Sequence, residues 1–145
     1  MTWTMTAVPT ENLKDSWPIA APLLAPAIGF SGGRISMSSV FDWLADRRYL
    51  LWLAYEDPTQ VKAAFVTREA NYPCRRMLTI DIAGGSDMAG WVNEADRVFR
   101  AYARDAGLDG VEIYGRAGWV KALKPLGWTG GTVLVETNVA TEKAS

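Results

Sequence analysis

The chain has no histidine and a single cysteine in 145 residues. Without histidine there is no Ser-His-Asp or Cys-His catalysis, and the commonest metal ligand is gone. One cysteine, Cys74, excludes an internal disulfide and suits a reducing compartment; with only scattered carboxylates beside it, no structural zinc site can be assembled. No metal is expected. An excess of either charge is also missing. Fifteen Lys and Arg against sixteen Asp and Glu leave a formal charge of −1, which gives no general attraction to nucleic acid or to an acidic membrane surface. No apolar run is long enough to span a bilayer. Met1-Thr-Trp-Thr-Met-Thr6 has neither the basic start nor the apolar core of a signal peptide. The expectation is therefore a cytoplasmic protein with no nucleic-acid and no membrane partner. Any acid–base work falls to Asp, Glu, Tyr, Lys, a terminus or water.

What the chain does have is length for one domain with a full core, and seven tryptophans. These read as large core and rim residues rather than ligand platforms. Residues 2–8 alternate and are rich in β-formers, so they predict an edge strand ended by Pro9. Thr10 before Glu11-Asn-Leu-Lys predicts a helix N-cap and an acidic first turn. Residues 17–28 are apolar but carry Pro18, Pro22 and Pro26; each proline costs an interior helix hydrogen bond, which predicts a broken or irregular helix. Residues 36–48 predict a second helix with Val40, Phe41, Trp43 and Leu44 to one side. Residues 49–55 form a near-continuous apolar strand of the kind covered on both faces. Glu56-Asp-Pro-Thr59 is a turn, and residues 61–69 return as the next strand. A connection, Asn71-Tyr-Pro-Cys-Arg-Arg76, leads to a third strand over 77–83.

The centre of the pattern runs from Arg76 to Trp128. A strand, Met77-Leu-Thr-Ile-Asp-Ile-Ala83, feeds a glycine loop, Gly84-Gly-Ser-Asp-Met-Ala-Gly90, which opens an amphipathic helix over 91–106. Trp91, Ala95, Val98, Phe99, Tyr102 and Ala106 recur on its inner face. Glu94 with Arg97, and Asp96 with Arg100, are spaced for ion pairs. Gly107 ends the helix. Gly110-Val-Glu-Ile-Tyr114 is the next strand, residues 118–126 a short helix ended by Gly127, and residues 132–136 a last strand before a loose tail.

A strand feeding a glycine loop at a helix start is a common place to hold a phosphorylated ligand. Gly84, Gly85, Ser86 and Gly90 could cradle phosphate oxygens, or form a plain strand-to-helix turn with Asp87 or Ser86 as N-cap. Asp81 lies opposite Ile80 and Ile82 by strand alternation, either as a base facing a cleft or as the partner of an arginine. Tyr114 could serve as a proton donor or simply cap the core. Glu112 and Glu69 are weaker base candidates, and Arg116 could meet a phosphate or carboxylate. Cys74 sits beside Arg75 and Arg76, which could lower its pKa, but no histidine is available to act as its base.

The element order resembles the GNAT-type N-acyltransferase fold: an α/β (α+β) domain with a mixed, mostly antiparallel central sheet and helices on both faces. Leu78-Thr-Ile-Asp-Ile-Ala83 with the glycine loop and the helix after it resembles the family's acyl-CoA-binding strand–loop–helix. Glu112-Ile-Tyr114 followed by Trp119-Val-Lys-Ala-Leu-Lys-Pro-Leu-Gly-Trp128 resembles its next strand and helix. Gly115-Arg-Ala-Gly-Trp119 and Leu126-Gly-Trp128 are also similar to runs in small GNAT-like proteins of phages and prophages. The resemblance implies a wedge between residues 78–83 and 111–114 that admits the pantetheine arm, and acetyl-CoA as cofactor. It implies Ile82, Ala83, Gly84, Gly85, Ser86, Met88, Ala89 and Gly90 as cofactor-binding, and Asp81 and Tyr114 as catalytic. The acceptor would be a small-molecule amine or a protein amino group, and a homodimer is compatible with it. Two departures stand out. The loop lacks the family's Gln or Arg and carries Asp87, and Leu123 occupies the place of the family's helix tyrosine. A catalytically silent binding or structural module is the competing expectation.

Overall fold

The computed structural model describes residues 2–115, 117–130, 134–137 and 139. Five strands form one sheet: β1 (Thr4–Val8), β2 (Leu50–Asp57), β3 (Gln60–Asn71), β4 (Arg76–Gly85) and β5 (Gly110–Ile113), in that spatial order. The first three pairings are antiparallel and β4–β5 is parallel. Helices α1 (Leu13–Gly29) and α2 (Met37–Ala45) cover one face, and α3 (Met88–Asp105) and α4 (Ala117–Leu123) the other.

Each face owns a core. Trp52, Phe65, Leu78, Ile80, Trp91 and Phe99 fill the α3 side, with edge-to-face contacts of Phe99 on Trp52 at 5.1 Å and of Trp91 on Phe65 at 5.1 Å. Leu24, Val40, Leu44, Leu51, Val66 and Ile82 fill the α1 side. The apolar run of β2 is divided between them, Trp52 and Ala54 to one and Leu51 and Leu53 to the other, which is why no polar residue interrupts it.

Helix α1 departs from expectation. It is one continuous helix with Pro18, Pro22 and Pro26 inside it. All three prolines are exposed, while Leu13, Ala20 and Leu24 are buried. Four-residue spacing stacks the missing amides on the outer stripe, where water can serve the orphaned carbonyls. Helix α2 starts with a capping box in which Ser36 and Ser39 exchange side-chain and backbone hydrogen bonds. Helix α3 starts three residues earlier than expected, and Ala103 rather than the exposed Ala106 is buried.

The two predicted ion pairs of α3 are present, at 2.6 Å for Glu94–Arg97 and 2.7 Å for Asp96–Arg100. The second does more than decorate the helix. Asp96 also accepts from the Trp128 indole at 2.6 Å, and Arg100 donates to the Leu126 carbonyl at 2.9 Å. These bonds fasten the 3-10 turn Lys124–Leu126 and the residues after it to α3. The last strand expected over 132–136 falls partly outside the described residues. Residues 134–136 form no strand, so among the described residues the sheet ends at β5.

Candidate active site

The site is organised by what happens halfway along β4. Met77 to Ile80 are laddered to β5 residue by residue, from Met77 opposite Gly110 to Ile80 opposite Ile113. The Tyr114 amide donates to the Ile80 carbonyl at 3.3 Å. Beyond that point β5 ends, while β4 runs on to Gly85 paired only with β3. With β5 laddered over its whole length and ended, one edge of Asp81–Gly85 has no strand neighbour among the described residues.

A bulge marks the same place. Val66 pairs with Ile82 and Thr67 with Ile80, so Asp81 has no residue opposite it. An extra residue reverses the alternation. Ile80 packs in the α3-side core and Ile82 in the α1-side core, whereas simple alternation would have put both opposite Asp81. Asp81 instead turns to the α1 side, where its carboxylate accepts from Arg68 Nε at 2.5 Å. Of the two sequence readings for Asp81, the arginine partner is the arrangement found. Tyr49 lies beside the pair; burial first, and then the Asp81 carboxylate, push its phenol up to about 12.

A second polar group stands on β5. Glu112 Oε2 accepts from Thr79 Oγ1 at 2.8 Å and from the Tyr72 hydroxyl at 2.5 Å. The Tyr72 and Tyr114 oxygens are 3.2 Å apart. Thr79 is fully buried and Tyr114 is 62% exposed, so the chain runs from the interior to the surface just past the end of β5. The hydrogen bond to Glu112 holds the Tyr72 proton well above the usual tyrosine range. Sequence reading missed Tyr72 and Thr79 and ranked Glu112 low. Tyr72 meets Glu112 across 40 residues, a pairing with no local signal.

The glycine loop is more constrained than a bare cradle. Gly84 and Gly85 are strand residues, opposite Ala64 and Ala63 of β3. A Cβ on Gly84 would fall on the Leu23 carbonyl oxygen of α1, and one on Gly85 on the Lys62 carbonyl oxygen. These glycines permit backbone-to-backbone packing. A Cβ on Gly90 would lie 2.9 Å from the Trp3 indole nitrogen, so that glycine seats Trp3 against the first turn of α3. Asp87 is the N-cap, in the left-handed conformation at φ 60°, and its side chain caps nothing; Lys62 Nζ is 3.9 Å from it. The Ser86 amide donates to the Lys62 carbonyl, and the Ser86 carbonyl accepts from the Trp91 indole N–H. The amides of Met88 and Ala89, at the helix start, have no acceptor within the helix. They point a partial positive charge outward.

The remaining candidates are accounted for elsewhere. Glu69 pairs with Arg76 at 3.3 Å, and Cys74 is an exposed free thiol. Arg116 lies outside the described residues. Leu123 is buried in the α3-side core. A groove of about 950 Å³ runs along the outer edge of β5, with Glu112, Tyr114, Trp119 and Leu123 among its walls. Among the described residues no helix is long and apolar enough to cross a membrane.

No protein-family model matches the chain, and no curated protein matches it. Solved structures do. A predicted acetyltransferase from Clostridium acetobutylicum, solved with acetyl-CoA, superposes with a TM-score of 0.68 at 12% identity, over 97% of this chain and 98% of its own. An aminoglycoside acetyltransferase from an uncultured soil metagenomic sample gives 0.69 at 11%, over 96% and 99%. Glucosamine-6-phosphate N-acetyltransferase from Arabidopsis thaliana gives 0.64 at 10%, over 96% and 99%. With the five-strand sheet, the β4 bulge and the parting of β4 from β5, the chain has the GNAT-type acyltransferase fold that its sequence resembles.

Proposed function

We propose that this chain binds acetyl-CoA in the wedge between β4 and β5 and transfers the acetyl group to an amine, carried either by a small molecule or by a protein. The observation that carries the reading is the abrupt end of the β4–β5 ladder at Ile80 and Ile113 while β4 continues to Gly85. Strand backbone at Ile82 and Ala83, paired on one edge only, is suited to the amides of an extended pantetheine arm. The amides of Met88 and Ala89, with Ser86 before them, are suited to the pyrophosphate. Gly84, Gly85 and Gly90 serve the same site indirectly, by letting α1, β3 and Trp3 close around the loop. Acetyl-CoA supplies an activated thioester; the protein supplies position and proton traffic. Tyr114, exposed at the mouth of the wedge, handles the proton. Asp81, held by Arg68 and beside Tyr49, positions the bulge rather than acting as base.

A melting experiment with and without 1 mM acetyl-CoA tests binding. A dissociation constant near 1 μM stabilises by about 4 kcal/mol through mass action, a shift of several degrees in Tm. No shift sinks the reading.

A second reading has its own observations. Asp87 sits where phosphate charge would lie, and buried Leu123 stands where the resemblance asks for a tyrosine. Both fit a silent module of phage or prophage type that works through protein contacts. An acetyl-CoA shift with turnover of any amine excludes it.

A further inference from the structure

We propose that Tyr114, Tyr72 and Glu112 form a proton relay that strips the proton from the acceptor's ammonium group at the mouth of the wedge, with Glu112 as the final base. The inference rests on the acetyltransferase reading and assigns a direction to the proton. Tyr72 has one hydroxyl proton, and it is given to Glu112 Oε2 at 2.5 Å. The 3.2 Å contact between the two phenols must then use the Tyr114 proton, donated to Tyr72. That leaves the Tyr114 oxygen as an acceptor facing solvent. Tyr114 is therefore set to take a proton from an incoming ammonium, not to give one to a leaving thiolate.

The protons balance in one concerted step. The ammonium N–H bond breaks toward Tyr114 Oη; Tyr114 passes its own proton to Tyr72, and Tyr72 passes its own to Glu112. The net change is an ammonium and a carboxylate becoming a neutral amine and a carboxylic acid. The freed nitrogen lone pair attacks the thioester carbonyl carbon, the C–S bond breaks, and CoA leaves as the thiolate. The nitrogen, now bonded to the acetyl carbon, gives up its second proton to water, the thiolate takes one from the same water, and the products are a neutral amide and a free thiol. Glu112 returns its own proton to water by the same route.

Thr79 keeps the terminus in place. Its buried hydroxyl donates to the same Glu112 oxygen at 2.8 Å, so the carboxylate is aimed at Tyr72 and not at bulk water. Asp81 is unsuited to the role because its carboxylate is already engaged by Arg68.

The test uses the full chain, acetyl-CoA, and a probe set of kanamycin, glucosamine 6-phosphate and a lysine peptide. Tyr72→Phe is expected to lower kcat about 100-fold with the KM for acetyl-CoA unchanged, while Thr59→Ala, in the β2–β3 turn, changes neither. Wild-type turnover with Tyr72→Phe at full kcat overturns the relay and leaves the acetyltransferase reading standing. A wild type that shows no acetyl-CoA shift overturns the reading and the relay together. A readout without turnover covers the case of an untried acceptor. The tyrosine 13Cζ signal of Tyr72 should resist ionisation beyond the ordinary tyrosine range, and Glu112→Gln should bring it back. An ordinary Tyr72 titration in the wild type overturns the relay even where acetyl-CoA binds.

Discussion

The two halves of β4 are the same strand under different constraints. From Met77 to Ile80 it is laddered on both edges, to β3 and to β5. From Asp81 to Gly85 it is paired on one edge only, turned over by a bulge, and pinned from above by α1 at Gly84. The first half is held by what surrounds it. The second leaves one edge of strand backbone unpaired among the described residues, and holds its line through a close helix contact, an ion pair and two glycines. A site that must admit a ligand between strands needs the second arrangement; a core needs the first.

Four changes sharpen the contrast. Gly84→Ala is expected to be the most damaging, because the new methyl meets α1 backbone rather than a movable side chain. A loss of about 3 kcal/mol or more, read by chemical denaturation, is expected, and a near-neutral result would mean that α1 is not seated on the open half. Arg68→Ala comes next. It strands an Asp81 carboxylate that is 16% exposed, at a cost of about 2 kcal/mol; adding Asp81→Asn should recover part of it, and a double mutant no better than the single would detach the pair from the bulge. In the laddered half, Thr79→Val removes one buried hydroxyl and should cost about 1 kcal/mol, with the change confined to Glu112 and Tyr72 in an NMR map.

The last change acts only at alkaline pH. Tyr49 has a folded value near 12 against 10 for the free group. A raised folded pKa means that the unfolded chain loses this proton first. The stabilisation is whole below pH 10 and is lost as pH climbs toward 12. Tyr49→Phe should therefore flatten the alkaline stability curve between those values, and an unchanged slope would argue that Tyr49 titrates alike in both states.

Much of the frame was legible from periodicity and turn chemistry. The apolar run of β2, the inner face of α3 and the hairpin at Asp57 follow from local rules, and Asp57 does accept the Thr59 amide at 2.9 Å as such a turn requires. Local rules failed where tertiary context decided. The prolines of α1 predict breakage because each removes an amide donor; their four-residue spacing puts them on one helical face, but only the packing of α1 shows that this face meets water. Alternation placed Asp81 wrongly because a bulge is invisible in a run of good strand formers. Gly84 and Gly85 looked like a phosphate loop, yet they are strand residues chosen for close packing, a use that needs the position of α1 to be recognised. At the site, Asp81 and Tyr114 were picked out by residue type. Tyr72 lies in a connecting segment, and Glu112 reads from sequence as a weaker base candidate, because their meeting depends on β3, β4 and β5 lying side by side.

The proline stripe of α1 has a consequence for the chain when it is not folded at all. Three fixed φ angles within 17 residues narrow the conformations open to the denatured segment, each by an amount worth roughly 0.4–1 kcal/mol. Part of what the helix forgoes in amide bonds is thus returned as disorder that never has to be surrendered. Replacing the prolines with alanine would add hydrogen bonds to the native helix while giving its unfolded rival more freedom, so the net gain should be smaller than a count of the new bonds suggests.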